Sequence, residues 1–123
     1  MTTMINWFSI PSINFKRAVE FYSTIFEIKM TIDIDKNGNE MAMFLKPGKK
    51  QVNGAITSDK KETPSRNGVR IYLNCDGKLN QVLKKVVSAG GNINLQKTKI
   101  GEWGHIAIID DTEGNSIGLH DTK

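Results

Sequence analysis

Apolar residues recur with the spacing of an amphipathic helix in two stretches of the chain. Asn14 precedes the first stretch and can cap a helix, and Gly90-Gly91 follows the second, as expected at a helix C-terminus. The apolar positions are Phe15, Ala18, Val19, Tyr22, Ile25 and Phe26 in the first, and Leu79, Val82, Leu83, Val86 and Val87 in the second. The pattern therefore predicts two helices.

Short stretches of strand character surround each predicted helix. The order βαβββ then occurs twice, with helices that begin at Phe15 and Leu79, 64 positions apart (79 − 15). The same offset places Gly54 over Gly118 (118 − 54), which indicates a tandem repeat. The predicted strands are 5–10, 29–34, 40–45 and 52–57 in the first half, and 69–74, 92–97, 105–110 and 116–120 in the second.

These elements predict an α+β fold in which two βαβββ modules form a curved mixed sheet around a cavity, with the helices on the outside. We expect a single domain over 1–123, with modules 1–57 and 68–120 and a linker at 58–67. Side chains alternate between the two faces of a strand. The alternation places Phe8, Ile10, Ile117 and Leu119 toward the helices, and it turns Trp7, Ser9, Ser116, Gly118 and His120 toward the cavity.

The composition is that of an ordinary globular protein, with 38% apolar residues and a net charge of +4. The lone Cys75 cannot form an internal disulfide, so we expect a reducing cytoplasm; the thiol is either a nucleophile or, as we favour, a semi-buried core group. The N-terminus has no signal-peptide pattern, and the longest apolar run, 41–45, is too short for a membrane span. The central lysines lack interleaved aromatics, which favours solvated loops over a nucleic-acid surface.

Two motifs resemble those of the vicinal oxygen chelate superfamily, which contains glyoxalase I, bleomycin-resistance proteins and extradiol dioxygenases. "WFSIPSINFKRAVEFYSTIF" resembles the opening of its first module, and "LNQVLKKVVSAGGNI" followed by "GHIAIIDDTEGNSIGLH" resembles its second. The resemblance implies the repeated fold and a homodimer, which would also cover the sheet edges. It does not imply one function, because this fold hosts many activities.

Metal-dependent members of the family place His, Glu or Gln ligands on the first and last strands of each module. The matching positions here are Trp7, Gly54, a residue near Ile71, and Gly118. The first two and Gly118 cannot ligate a metal, and 69–73 holds no His, Asp, Glu or Cys. We therefore expect neither a metal nor another cofactor, and we interpret Gly118 as space where a ligand residue would be.

The remaining candidates indicate a ligand-binding cavity. Trp7 could stack on a planar ligand or simply fill the core, and each histidine could act as a base or serve only as a hydrogen-bonded strand end. The residues predicted to contact a ligand are Trp7, Ser9, Met43, Trp103, His105, Gly118 and His120.

Three functions are consistent with these features. The first is a metal-free protein that binds a small, aromatic molecule, similar in kind to the bleomycin-resistance members, which sequester an aromatic or cationic drug. The second is a lyase or dioxygenase, which needs either a metal site completed by another chain or metal-free chemistry at His105 and His120. The third is an interaction or regulatory module without a pocket.

Overall fold

Two βαβββ modules make up the computed structural model, which describes residues 3–48 and 51–122. The first contains β1 (Trp7–Pro11), α1 (Phe15–Phe26), β2 (Thr31–Ile34), β3 (Glu40–Met43) and β4 (Asn53–Thr57). The second contains β5 (Tyr72–Asn74), α2 (Leu79–Val86), β6 (Asn92–Lys99), a 3-10 turn (Gly101–Trp103), β7 (His105–Asp110) and β8 (Ser116–Asp121). The predicted element order is confirmed; β1 and β5 begin later than expected, and 58–71 forms no helix or strand.

Each module contributes one four-stranded mixed sheet. The strand orders are β1-β4-β3-β2 and β5-β8-β7-β6. In each sheet the first and last strands of the module are parallel, and the other pairs are antiparallel. This pairing confirms the predicted α+β class and the tandem repeat.

The core lies between the sheets and the two helices, which contact each other. Ile10 and Ile56 of the first sheet and Leu73 and Leu119 of the second belong to it, as do the buried faces of both helices. The face assignment made from the alternation is therefore correct for Ile10, Ile117 and Leu119, and Phe8 packs against the same core.

The repeat contains a one-residue shift that the constant offset does not describe. Gly54 pairs with Phe8 and shares the core face of the first sheet with Ile56, whereas Gly118 pairs with Tyr72 on the face opposite Leu119. The residue that corresponds to Gly118 is thus Ala55, and the match of Gly54 to Gly118 is wrong. Loops of different length in the two modules cause the shift, since the helix starts keep the expected spacing.

Candidate functional site

A cavity of about 990 Å³ lies between the two modules. Three phenylalanine rings of the first module line it, and Phe44 is the central one, with ring centroids 5.5 Å from Phe8 and 6.4 Å from Phe26. The second module contributes residues from the β5 segment and from α2, including Tyr72, Leu73, Cys75 and Val82. The walls are therefore largely apolar and aromatic, which suits an apolar or aromatic ligand.

The first wall depends on a glycine. A Cβ placed on Gly54 would overlap the ring of Phe8, its partner on β1. Phe8 can therefore lie flat across β4 only because position 54 has no side chain. Phe44 directly follows β3 and meets the ring of Tyr22 edge-on at 5.5 Å, which anchors this side of the cavity to α1.

Gly118 leaves room for the ring of Tyr72 on the second sheet. Tyr72 is 47% exposed and its ring covers Gly118, where a Cβ would lie 2.7 Å from the Tyr72 Cγ atom. The space at Gly118 is thus filled by Tyr72, and Gly118 itself is buried. Tyr72 is also one of the residues that line the large cavity.

Cys75 lines the cavity directly after β5. It is 3% exposed, and burial, together with the carboxylate of Asp121, raises the pKa of its thiol to about 12. The thiol therefore stays protonated near neutral pH, and because the thiolate is the nucleophilic form, the structure favours a core group over a nucleophile.

Three of the predicted ligand residues lie together on the first sheet. Ser9 and Met43 both pair with Ala55 and share its face, and Trp7 lies on that face one pleat away. Met43 is buried, whereas Trp7 is 44% exposed. The Ser9 hydroxyl donates to the Glu62 carboxylate at 3.4 Å, so the segment after β4 passes over this row.

The other predicted residues lie on the second sheet. His120 shares the face of Gly118, and its Nε2 atom donates to the backbone carbonyl of Trp103 at 2.6 Å. Trp103 itself is 77% exposed. His105 precedes Ile106, the partner of His120, and so lies on the opposite face. The two histidines therefore do not form a pair.

None of the seven predicted residues lines the large cavity, and their contact with a ligand stays a prediction. The periodicity of strand and helix assigns Phe8 and Phe26 to the core, and Phe44 follows a strand, so none of the three was predicted to line a cavity. Their signal in the sequence was the high density of phenylalanine in the first module. The alternation of side chains along a strand does not show how two modules pack. It therefore does not predict the gap between those rings and β5.

The residues at the metal-ligand positions of the repeat do not fit a metal ion. Ser9 pairs with Ala55 and Tyr72 pairs with Gly118, and Trp7 and Arg70 lie two residues before Ser9 and Tyr72, so the positions that the resemblance implies are Trp7, Ala55, Arg70 and Gly118. An indole, a methyl group, a guanidinium and a hydrogen are not ligands for a divalent cation. Within residues 3–48 and 51–122, no three His, Cys, Asp or Glu side chains are grouped so that they could hold a metal.

The sequence profile of the glyoxalase/bleomycin resistance protein/dioxygenase superfamily matches residues 4–119. The chain belongs to this superfamily. No curated protein sequence matches it. Neither helix of the described chain has the length and apolar character that a bilayer span requires.

Solved structures of superfamily proteins share this fold at low sequence identity. A glyoxalase/bleomycin resistance protein from Albidiferax ferrireducens T118 is 12% identical, with a TM-score of 0.71 over 96% of this chain and 98% of that one. TnmS3, an antibiotic binding protein from Streptomyces sp. CB03234, is 19% identical, with a TM-score of 0.69 over 98% of this chain and 97% of that one. A glyoxalase I variant from Zea mays is 20% identical, with a TM-score of 0.64 over 94% of this chain but 46% of that one.

Proposed function

We propose that this superfamily member binds a small aromatic molecule, without a metal, in the cavity between its modules. The observation that carries the proposal is the cavity of about 990 Å³ with the rings of Phe8, Phe26 and Phe44 on one wall. Ligand pockets typically measure roughly 300–1,000 Å³ and are lined by apolar and aromatic side chains with few polar groups. A ligand of two or three fused or linked rings fits this volume.

The driving force is the removal of apolar surface from water. An aromatic ligand that buries ~200 Å² gains about 5 kcal/mol at ~25 cal/mol per Å², before the entropic cost of association. Offset or edge-on contacts with Phe44 and its neighbours add to this gain and favour planar rings over aliphatic chains.

The alternatives have less support. The presence of a cavity of about 990 Å³ argues against an interaction or regulatory module without a pocket. A metal-dependent lyase or dioxygenase needs donor side chains where this chain has Trp7, Ala55, Arg70 and Gly118. TnmS3, which has the same fold, is described as an antibiotic binding protein, and it provides a precedent for binding.

The test is a fluorescence titration with phenylnaphthylamine, an uncharged aromatic probe that brightens in apolar surroundings. We expect saturable binding to the native protein. Val82 is 3% exposed and lines the cavity, so Val82→Phe should fill part of the volume and weaken binding at least tenfold, a loss of ~1.4 kcal/mol. Val87→Phe is the matched control, because Val87 is 63% exposed and does not line the cavity.

Two results would contradict the proposal. The first is the absence of saturable binding to the folded native protein. The second is an equal affinity of the native protein and Val82→Phe, since the probe would then bind elsewhere. Circular dichroism of each variant confirms that the fold is intact.

We also propose that the protein forms a homodimer. β2 is an edge strand, and its same-face residues Ile32 and Ile34 are 50% and 60% exposed. Edge strands with exposed apolar side chains are usually covered in stable proteins. Light scattering coupled to size exclusion should give twice the chain mass, and Ile34→Lys should shift the mass toward the monomer. A monomer mass for the native protein at all concentrations would contradict this.

A further inference from the structure

A second, smaller cavity lies on the face of the second sheet that carries Gly118. Its volume is about 470 Å³. Ser116 and Ile108 form its floor, and both lie on the Gly118 face, since Ile108 pairs with Gly118 on the neighbouring strand. Polar and cationic side chains dominate its walls: Arg66, Asn67, Arg70 and Asn94.

Arg66 is held in place by an ion pair. Its Nη2 atom lies 3.2 Å from the Asp110 carboxylate, which also accepts a hydrogen bond of 2.7 Å from the side-chain amide of Asn94. The Asp110 side chain is 12% exposed, so this carboxylate is a semi-buried anchor. Its charge offsets that of Arg66.

Arg70 carries the positive charge that remains. No carboxylate of the described residues lies within ion-pairing distance of it. Its Nη2 atom donates only a long hydrogen bond, 3.4 Å, to the Ser116 hydroxyl. A guanidinium has five N–H groups in a planar fork that matches a carboxylate, sulfonate or phosphate. Most of those donors are therefore available.

Arg70 also lines the large cavity. It precedes Tyr72 by two residues, and Tyr72 lines that cavity as well. A ligand whose rings occupy the large cavity beside Tyr72 thus has a cation within reach of one end.

We propose that the protein selects aromatic ligands that carry an anionic group, which Arg70 binds at the junction of the two cavities. This inference rests on the proposed function and names the class of ligand. A bound carboxylate, sulfonate or phosphate pairs with the guanidinium of Arg70 and accepts a hydrogen bond from Ser116. Asn67 lines the same cavity with a neutral amide, and the charge of Arg66 is already balanced by Asp110, so Arg70 is the cation that an anionic group would meet.

The experiment compares two probes with one aromatic skeleton. Anilinonaphthalene sulfonate is phenylnaphthylamine with one added sulfonate. Arg70→Gln should weaken binding of the sulfonate roughly tenfold, because a hydrogen-bonded ion pair is lost, and should change binding of phenylnaphthylamine less than twofold. Lys16→Gln is the matched control, since it removes one positive charge from an exposed site on α1. It should leave both affinities unchanged.

Two further variants test the geometry. Arg70→Lys keeps the charge but loses the planar fork, so an intermediate affinity for the sulfonate is expected. Arg66→Gln should have a smaller effect than Arg70→Gln, because Asp110 already balances Arg66.

The outcomes separate the two proposals. If phenylnaphthylamine binds and Arg70→Gln leaves the affinity for the sulfonate unchanged, the anion site is wrong and the aromatic cavity stands. An equal loss for both probes also overturns it, because Arg70 would then support the cavity rather than the anion. If neither probe binds the native protein, both proposals fail.

Discussion

At the scale of single residues, Glu113 is held by hydrogen bonds from several parts of the chain. Its side chain is fully buried, and its carboxylate accepts hydrogen bonds from the backbone N–H groups of Ile13 (2.9 Å) and Asn14 (2.7 Å) and from Arg17 Nε (2.8 Å). Burial alone would raise the pKa of this carboxyl. The hydrogen bonds from Arg17, the backbone and Thr112 outweigh burial and lower the pKa below its ordinary value. Glu113 is therefore a buried anion at neutral pH.

A lowered pKa makes the stabilisation by Glu113 depend on pH. Because the folded-state pKa lies below the unfolded value of about 4.3, the contribution is complete above that value and is lost as the pH falls through the folded-state pKa. Glu113→Gln keeps the size but removes the charge. We expect it to lower the free energy of unfolding by about 1–3 kcal/mol at pH 7, and by much less near pH 3.

Urea unfolding at both pH values measures the difference. Glu20→Gln, at an exposed position on α1, is the control and should change the free energy of unfolding by less than about 0.5 kcal/mol at either pH. A loss for Glu113→Gln that is the same at both pH values would show that the charge of Glu113 does not contribute.

At the scale of elements, the two helices begin in different ways. The side chain of Asn14 accepts a hydrogen bond of 3.0 Å from Arg17 N and caps α1, as the sequence predicts. Lys78 precedes α2 and provides no side-chain cap. Instead, the carboxylate of Asp121 accepts from the N–H groups of Gly77 at 2.7 Å and Leu79 at 2.8 Å. The cap of α2 thus comes from the end of β8.

Removal of this distant cap should cost more than removal of the local one. Asn14→Ala should lower the free energy of unfolding by about 1 kcal/mol, the usual value for an N-cap. Asp121→Ala should cost about 2 kcal/mol or more, because it leaves one buried and one partly buried donor without a partner. Thermal unfolding followed by far-UV circular dichroism compares the two variants, and a smaller effect for Asp121→Ala would contradict this role.

The two helix caps show which features of the fold could be predicted from the sequence. Local signals predicted both helices, the order of elements along the chain and the core faces of Ile10 and Leu119, because spacing and alternation are properties of neighbouring residues. The pairing of Gly54 with Phe8 depends on loop lengths, and the cavity depends on how two modules pack. Contacts between distant residues, such as Asp121 with Leu79, leave no periodic signal in one sequence.

At the scale of the whole molecule, the turn between β7 and β8 joins the modules. Tyr22 of α1 donates a hydrogen bond of 2.7 Å to the buried carboxylate of Asp111, and the Asn115 amide donates to the Pro11 carbonyl at 2.9 Å. Glu113 of the same turn holds the start of α1. The first helix is thus anchored by polar groups of the second module, and neither module satisfies these groups alone.

This arrangement predicts that both modules unfold in one transition. Each module has one tryptophan, Trp7 in the first and Trp103 in the second. The variant Trp103→Phe therefore keeps a fluorescent reporter in the first module only, and Trp7→Phe keeps one in the second module only. The two reporters should give the same urea midpoint, and far-UV circular dichroism should coincide with both. Tyr22→Phe removes a donor to buried Asp111 and should move all three midpoints together, by about 1–3 kcal/mol in free energy of unfolding. Separate midpoints for Trp7 and Trp103 would mean that the modules unfold independently, and that the hydrogen bonds of Asp111, Glu113 and Asn115 do not couple them.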